Sequence, residues 1–77
     1  MKVSVDVYTK DVDAALEAFK VALEGGATDL RLNSNEDYNT GKFENLNLMF
    51  TTDHSSSAIS HLDNGKFAKD TDELEDL

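Results

Sequence analysis

The chain opens with a strict alternation of apolar and polar positions. Val3, Val5 and Val7 occupy every second position of residues 2–8. β-branched residues at a period of two are typical of a strand with one buried face. The sequence therefore predicts a first β-strand over residues 2–8, with its valines toward the core.

A helical repeat follows this strand. Asp11 is placed to cap a helix, Asp13 lies in its first turn, and Gly25 and Gly26 are typical of a helix end. The apolar residues at helical spacing are Val12, Ala15, Leu16, Phe19, Ala22 and Leu23, and the flank adds Ala14, Ala18 and Val21. The charged residues fall in one stripe, formed by Asp13, Glu17, Lys20 and Glu24. The apolar arc is wider than one sheet contact needs, so we expect a second helix beside the first.

Two further strands are predicted after this helix. Thr28, Leu30 and Leu32 alternate with polar residues, and a third alternation covers residues 43–52. Residues 33–42, NSNEDYNTGK, are rich in turn-forming types and predict the connecting loop.

A short second helix is predicted over residues 54–64. Asp53 is a candidate N-cap, Ala58, Ile59 and Leu62 form the apolar side, and Asn64 begins a helix-stopping Asn-Gly pair.

The resulting order, β-α-β-β-α, predicts an α+β fold. We expect a truncated ferredoxin-like domain, with two helices on one face of a three-stranded sheet and the third strand between the first two. The first strand would then be an open edge, which favours a homodimer through residues 2–8 or the capture of a partner's strand. The alternative is that the tail or a short additional strand covers that edge.

Charge separates the chain into two parts. Its net charge is −9, and five of its sixteen acids lie in the last eight residues, DTDELEDL. We expect residues 1–69 to form a single domain and residues 70–77 an acidic, flexible tail. A field of this sign repels nucleic acid and favours basic protein surfaces.

The compartment and the membrane relation follow from composition. The chain has no cysteine, its N-terminus lacks a continuous apolar run, and no apolar stretch approaches the ~20 residues of a membrane span. We expect a cytoplasmic protein without disulfides.

Three local patterns resemble chemical sites and fail on geometry. His54 and His61 are two helical turns apart, ~10.5 Å, which is too far to share one zinc ion. The neighbouring Asp53, His54 and Ser55 cannot form a triad by adjacency. Residues 33–44 carry oxygen-bearing side chains at calcium-loop spacing, but Tyr38 stands where that loop needs glycine. We therefore predict no enzyme activity, no metal and no cofactor.

The outer sheet face has a polar composition. By strand parity it presents Lys2, Ser4, Asp6, Tyr8, Arg31, Asn45, Asn47 and Met49. Gly41-Lys42-Phe43 is only a fragment of an RNA-binding signature, and the net charge opposes RNA. The alternatives are a solvated face and a protein contact centred on Tyr8 and Met49.

Charge and size favour a protein-binding function. The expected contact residues are Asp13, Glu17, Glu24, Glu36, Asp37, Tyr38, Asp70, Asp72, Glu73, Glu75 and Asp76. We expect an inhibitor that covers the basic, nucleic-acid-binding surface of a partner. In size and charge the chain is similar to the small acidic phage proteins that mimic DNA against host defence or transcription machinery, although it shares no motif with them. The alternative is a self-assembling homodimer module without an inhibitory role.

Overall fold

The computed structural model describes residues 1–63 and 65–69 of the chain. Its elements are β1 (Lys2–Thr9), α1 (Val12–Glu24), β2 (Thr28–Glu36), β3 (Phe43–Asp53), α2 (Ser57–His61) and β4 (Ala68–Lys69). The predicted α+β class is confirmed. The predicted tail, residues 70–77, lies outside the described residues.

The sheet is antiparallel, with the strand order β2-β3-β1-β4. The three long strands lie as predicted, with β3 between β1 and β2. A fourth strand of two residues adds to them and pairs Val7 with Lys69 and Tyr8 with Ala68. The β1 edge that we expected to be open is therefore covered at Val7 and Tyr8, as the alternative interpretation held.

Helix α1 begins and ends as predicted, but the side that it buries differs from the predicted one. The Asp11 carboxylate accepts the backbone N–H of Ala14 at 3.0 Å, and Gly25 caps the C-terminus. Gly26 follows with φ 85°, a conformation that glycine adopts without steric cost. The buried residues of α1 are Ala14, Ala15, Ala18 and Ala22. Val12, Leu16 and Leu23, which we assigned to the core side, are exposed. Small side chains let the helix backbone approach its neighbours closely, so the alanine side faces inward.

Helix α2 begins later than predicted. Ser56 is its N-cap and accepts the N–H of Ala58 at 3.1 Å, whereas the expected cap, Asp53, ends β3 and pairs with Lys2. His54 consequently lies in the turn before α2, and His61 is the last residue of the helix. The expectation that both histidines share one helix is wrong.

The β2–β3 hairpin is longer than predicted, because the asparagine-rich segment continues the strand. Asn33 pairs with Asn47 and Asn35 with Asn45, so the loop contains only residues 37–42. A register shift near the start of β2 includes Asp29, whose φ of 56° is tolerated better by Asp than by most side chains.

The core lies between the sheet and the two helices. Val7 and Leu48 are neighbours in register, and both are fully buried. The buried cluster is Val7, Ala18, Ala22, Ala27, Leu48, Phe50, Ala58 and Leu62. Because Ala58 of α2 belongs to the same buried cluster as Ala18 and Ala22 of α1, both helices lie on one sheet face, as predicted. The opposite face remains uncovered by either helix.

Candidate partner-binding surface

The outer side of α1 carries a row of acids. Asp13, Glu17 and Glu24 are exposed, as the stripe of charged residues predicted. Asp13 and Glu17 are one turn apart, with ~5–6 Å between their Cβ atoms. From Asp13 to Glu24 the row extends ~16 Å along the helix axis. Lys20 is the one basic residue of the predicted stripe. We refer to Asp13, Glu17 and Glu24 as the acidic row.

An apolar strip adjoins this row. Val12, Leu16 and Leu23 are 47%, 53% and 57% exposed, and Phe19 lies half-buried among them. The spacing of 4, 3 and 4 residues puts these side chains along one flank of the helix. At ~100° per residue, the flank is about 100° of rotation from the acidic row. We refer to Val12, Leu16 and Leu23 as the apolar strip. This exposure could not be predicted from the sequence, because large apolar residues at helical spacing normally indicate core positions.

The hairpin loop contributes an exposed aromatic residue. Tyr38 is 99% exposed at the tip. Beside it, Asp37 holds the loop: its Oδ1 accepts the N–H groups of Asn39 and Thr40 at 2.8 and 3.0 Å, and its own N–H donates to the Lys42 carbonyl. These N–H groups, that of Thr40 foremost, lower the pKa of Asp37. Asp37 therefore remains ionised while serving the turn.

The remaining predicted contact residues divide between the hairpin and the tail. Glu36 is exposed and accepts the Ser34 hydroxyl at 2.7 Å. The tail residues lie outside the described residues, and they are Asp70, Asp72, Glu73, Glu75 and Asp76. The structure thus brings Glu36, Asp37 and Tyr38 together at the hairpin, and Asp13, Glu17 and Glu24 on α1.

The uncovered sheet face contains a polar network that strand parity alone does not reveal. Asn47 is buried, and its side-chain amide donates to Asp6 Oδ1 at 2.6 Å and to the Val7 carbonyl at 3.1 Å. Next to it, the Asn35 amide donates to Asn45 Oδ1 at 2.8 Å. Satisfied buried amides fix a strand register. The asparagines of this face thus have an evident structural role.

The Asp53-His54-Ser55 segment forms a turn. The Ser55 hydroxyl donates to Asp53 Oδ1 at 2.7 Å, and the Ser55 N–H donates to the same oxygen at 3.0 Å. The hydroxyl is therefore directed to the carboxylate, whereas a nucleophilic triad directs it to the imidazole. His54 Nδ1 lies 3.5 Å from Asp53 Oδ1. The Ser55 N–H, the Ser55 hydroxyl and the N-terminal amine lower the pKa of Asp53 to about 2.

This carboxylate predicts an acid-dependent loss of stability. Its folded-state pKa of about 2 lies below the usual value of 3.8, so its contribution is present above about pH 4 and disappears as the pH falls toward 2. In Asp53→Asn the amide oxygen can still accept from Ser55, but the charge is gone. We expect the melting temperature of the variant to be lower than that of the wild type at pH 6 and equal to it near pH 2. A difference that stays constant across thermal melts from pH 2 to 6 would contradict this assignment.

Metal and membrane criteria give negative results within residues 1–63 and 65–69. No three His, Asp or Glu side chains in this part of the chain are grouped to hold a metal ion. No helix in the same part is long and apolar enough to cross a membrane.

Comparisons with protein-family models, with curated proteins and with solved structures find no match to this chain.

Proposed function

We propose that this chain is a small acidic protein-binding module that covers a basic surface of a partner protein. The observation that supports it is the outer side of α1, where an exposed acidic row adjoins an exposed apolar strip. Charged groups around an apolar contact select the partner, and the apolar area supplies much of the affinity.

The proposal includes inhibition of a nucleic-acid-binding partner. The chain has a net charge of −9, and three carboxylates lie along one side of α1, the first two about one turn apart and the last two about two turns apart. A row of this kind can occupy a site that normally takes phosphates, and it would then compete with nucleic acid. A DNA mimic of the phage type, acting on host defence or transcription machinery, is the specific form that we propose.

Fold and compartment belong to the same proposal. The element order β-α-β-β-α-β and the strand order β2-β3-β1-β4 support a ferredoxin-like assignment. The absence of cysteine supports a cytoplasmic location.

The test compares two variants with the same net charge. One neutralises the acidic row through Asp13→Asn, Glu17→Gln and Glu24→Gln. The control neutralises three exposed acids elsewhere through Asp29→Asn, Glu44→Gln and Asp63→Asn. Each immobilised protein is exposed to lysate of the source cell at low and at moderate salt, and bound proteins are identified by mass spectrometry.

We expect the wild type and the control to retain the same basic protein at low salt, and the acidic-row variant to lose it. Three exposed charge contacts are together worth about 1–3 kcal/mol, or about 5- to 150-fold in affinity. Salt should weaken the binding, because exposed charges are screened. Equal retention by all three proteins would contradict a role for the acidic row.

Deleting residues 70–77 is predicted to weaken this association and to flatten its salt dependence. The deletion removes five acids, and the steering of a basic partner depends on such charges. Isothermal titration at three salt concentrations measures both quantities. Unchanged affinity and salt slope would restrict the contact to residues 1–69.

A homodimer through the β1 edge is the second proposal, and the part of that edge open to a second copy is shorter than we expected. β4 already pairs with Val7 and Tyr8, which leaves Lys2–Asp6 as the part of that edge without a strand partner among the described residues. A dimer mass in light scattering, abolished by a proline at Ser4, would support this alternative. A monomer mass would count against it.

A further inference from the structure

We infer that the partner presents a basic amphipathic helix, which packs along the apolar strip of α1 and directs its Lys or Arg residues to the acidic row. This inference rests on the proposed function and adds the kind of element that α1 recognises.

The shape of the strip favours a helix as its occupant. Val12, Leu16 and Leu23, with the half-buried Phe19 between the last two, form a row about 16 Å long and one side chain wide. Two helices pack when the ridge of one fits between the side chains of the other, and apolar anchors at i, i+3, i+4 and i+7 match such a ridge. A helix of about three turns covers this length.

The apolar strip is separate from the packing that holds the fold together. α1 meets the rest of the domain through Ala14, Ala15, Ala18 and Ala22, together with the half-buried Phe19 and Val21, whereas about half of each strip residue faces solvent. Contiguous apolar side chains with a polar border are typical of protein-binding sites. The strip can therefore be altered with little effect on the core.

Charge complementarity selects a basic partner over a second copy of this chain. Two copies packed through α1 would bring two acidic rows together, and each copy has a net charge of −9. Like charges placed side by side disfavour such a pair. A basic helix meets the acidic row with opposite charge, and Lys20 is the one residue of the predicted stripe whose charge opposes it.

The same reasoning excludes the chain's own last residues as the occupant. The sequence DTDELEDL offers Leu74 and Leu77 to an apolar strip, but it brings five acids toward the acidic row. Repulsion between these carboxylates opposes docking in cis.

Two synthetic peptides of about 18 residues test the inference. Both consist of leucine and lysine in the same proportions. One places its leucines at i, i+3, i+4 and i+7, and the other has the same residues scrambled. Both carry a fluorophore, and anisotropy is recorded against the full chain. The test variant is Leu16→Gln/Leu23→Gln, in which glutamine preserves helix propensity. The control is Phe43→Gln, which removes an exposed apolar residue outside α1.

We expect the full chain to bind the amphipathic peptide at least about tenfold more tightly than the scrambled peptide. The double variant should lose that difference, the control should retain it, and circular dichroism should show both variants folded. The anisotropy of the labelled amphipathic peptide should also be lower with the Asp13→Asn/Glu17→Gln/Glu24→Gln variant than with the wild type.

Each contrary result has a distinct meaning. Equal, salt-dependent binding of both peptides overturns the helix inference and leaves a charge-based binding function intact. Failure of both peptides to bind overturns the inference, while capture of a basic protein through the acidic row would still support the proposed function. A dimer that the double variant abolishes overturns the inference in favour of a second copy.

Discussion

Replacing Leu48 with alanine is expected to lower the free energy of unfolding by about 3 kcal/mol. Leu48 is 1% exposed and lies in register with Val7 on one side and Leu32 on the other. The substitution leaves a cavity at the centre of the sheet. A core of this size rarely supplies more than ~3–5 kcal/mol, so the variant should retain only about 0–2 kcal/mol and unfold at a much lower urea concentration than the wild type. Urea denaturation followed by circular dichroism measures the loss.

Leu16→Ala is the matched control, because it makes the same chemical change at a side chain that is 53% exposed. We expect its free energy of unfolding to differ from the wild type by less than about 0.5 kcal/mol. Alanine is also the better helix former, which offsets part of any lost contact. A loss comparable to that of Leu48→Ala would show that the apolar strip stabilises the fold, and it would contradict a free binding surface.

Enlarging Ala22 to leucine is expected to cost about 2 kcal/mol. Ala22 has no exposed surface and belongs to the buried cluster with Ala18 and Phe50. A larger side chain there must displace the helix or force a neighbour out of its preferred rotamer. Thermal and urea denaturation both measure the effect.

Ala68→Leu adds the same volume at an exposed position of β4 and should leave the stability within about 0.5 kcal/mol. If Ala22→Leu proved neutral or stabilising, the close approach of α1 that its alanines indicate would be contradicted.

The pattern of residues predicted the order of the long elements correctly. The valines at positions 3, 5 and 7 define β1, Asp11 caps α1, and Gly26 has the positive φ expected after a helix. These features depend on local backbone preferences, which the sequence carries directly.

The wrong sequence predictions concern positions where contacts with neighbouring elements select one of several possible local structures. Ser56 caps α2 because Asp53 is held in β3 opposite Lys2, and β4 has only two residues, too few to produce a periodic signal. Asn33 and Asn35 have turn-forming side chains, yet pairing with β3 keeps them in the strand.

The exposed charged residues of the candidate surface could be predicted from the sequence, whereas the exposure of its apolar residues could not. Asp13, Glu17 and Glu24 are exposed because charged groups are costly to bury without a partner. Leu16 and Leu23 fit the helical core pattern equally well, and only the close packing of the alanines places them outside. Sequence periodicity gives the width of an apolar arc, whereas packing decides which part of it is buried.

Carbodiimide crosslinking can locate the binding surface on the chain, because it joins a carboxylate to a lysine only when the two are in contact. The chain is crosslinked in lysate of the source cell, and the joined peptides are sequenced by mass spectrometry. We expect links from Asp13, Glu17 or Glu24 to lysines of a basic protein, and we expect fewer of these links when nucleic acid is added. Links confined to other carboxylates, or only between copies of this chain, would contradict binding through the outer side of α1.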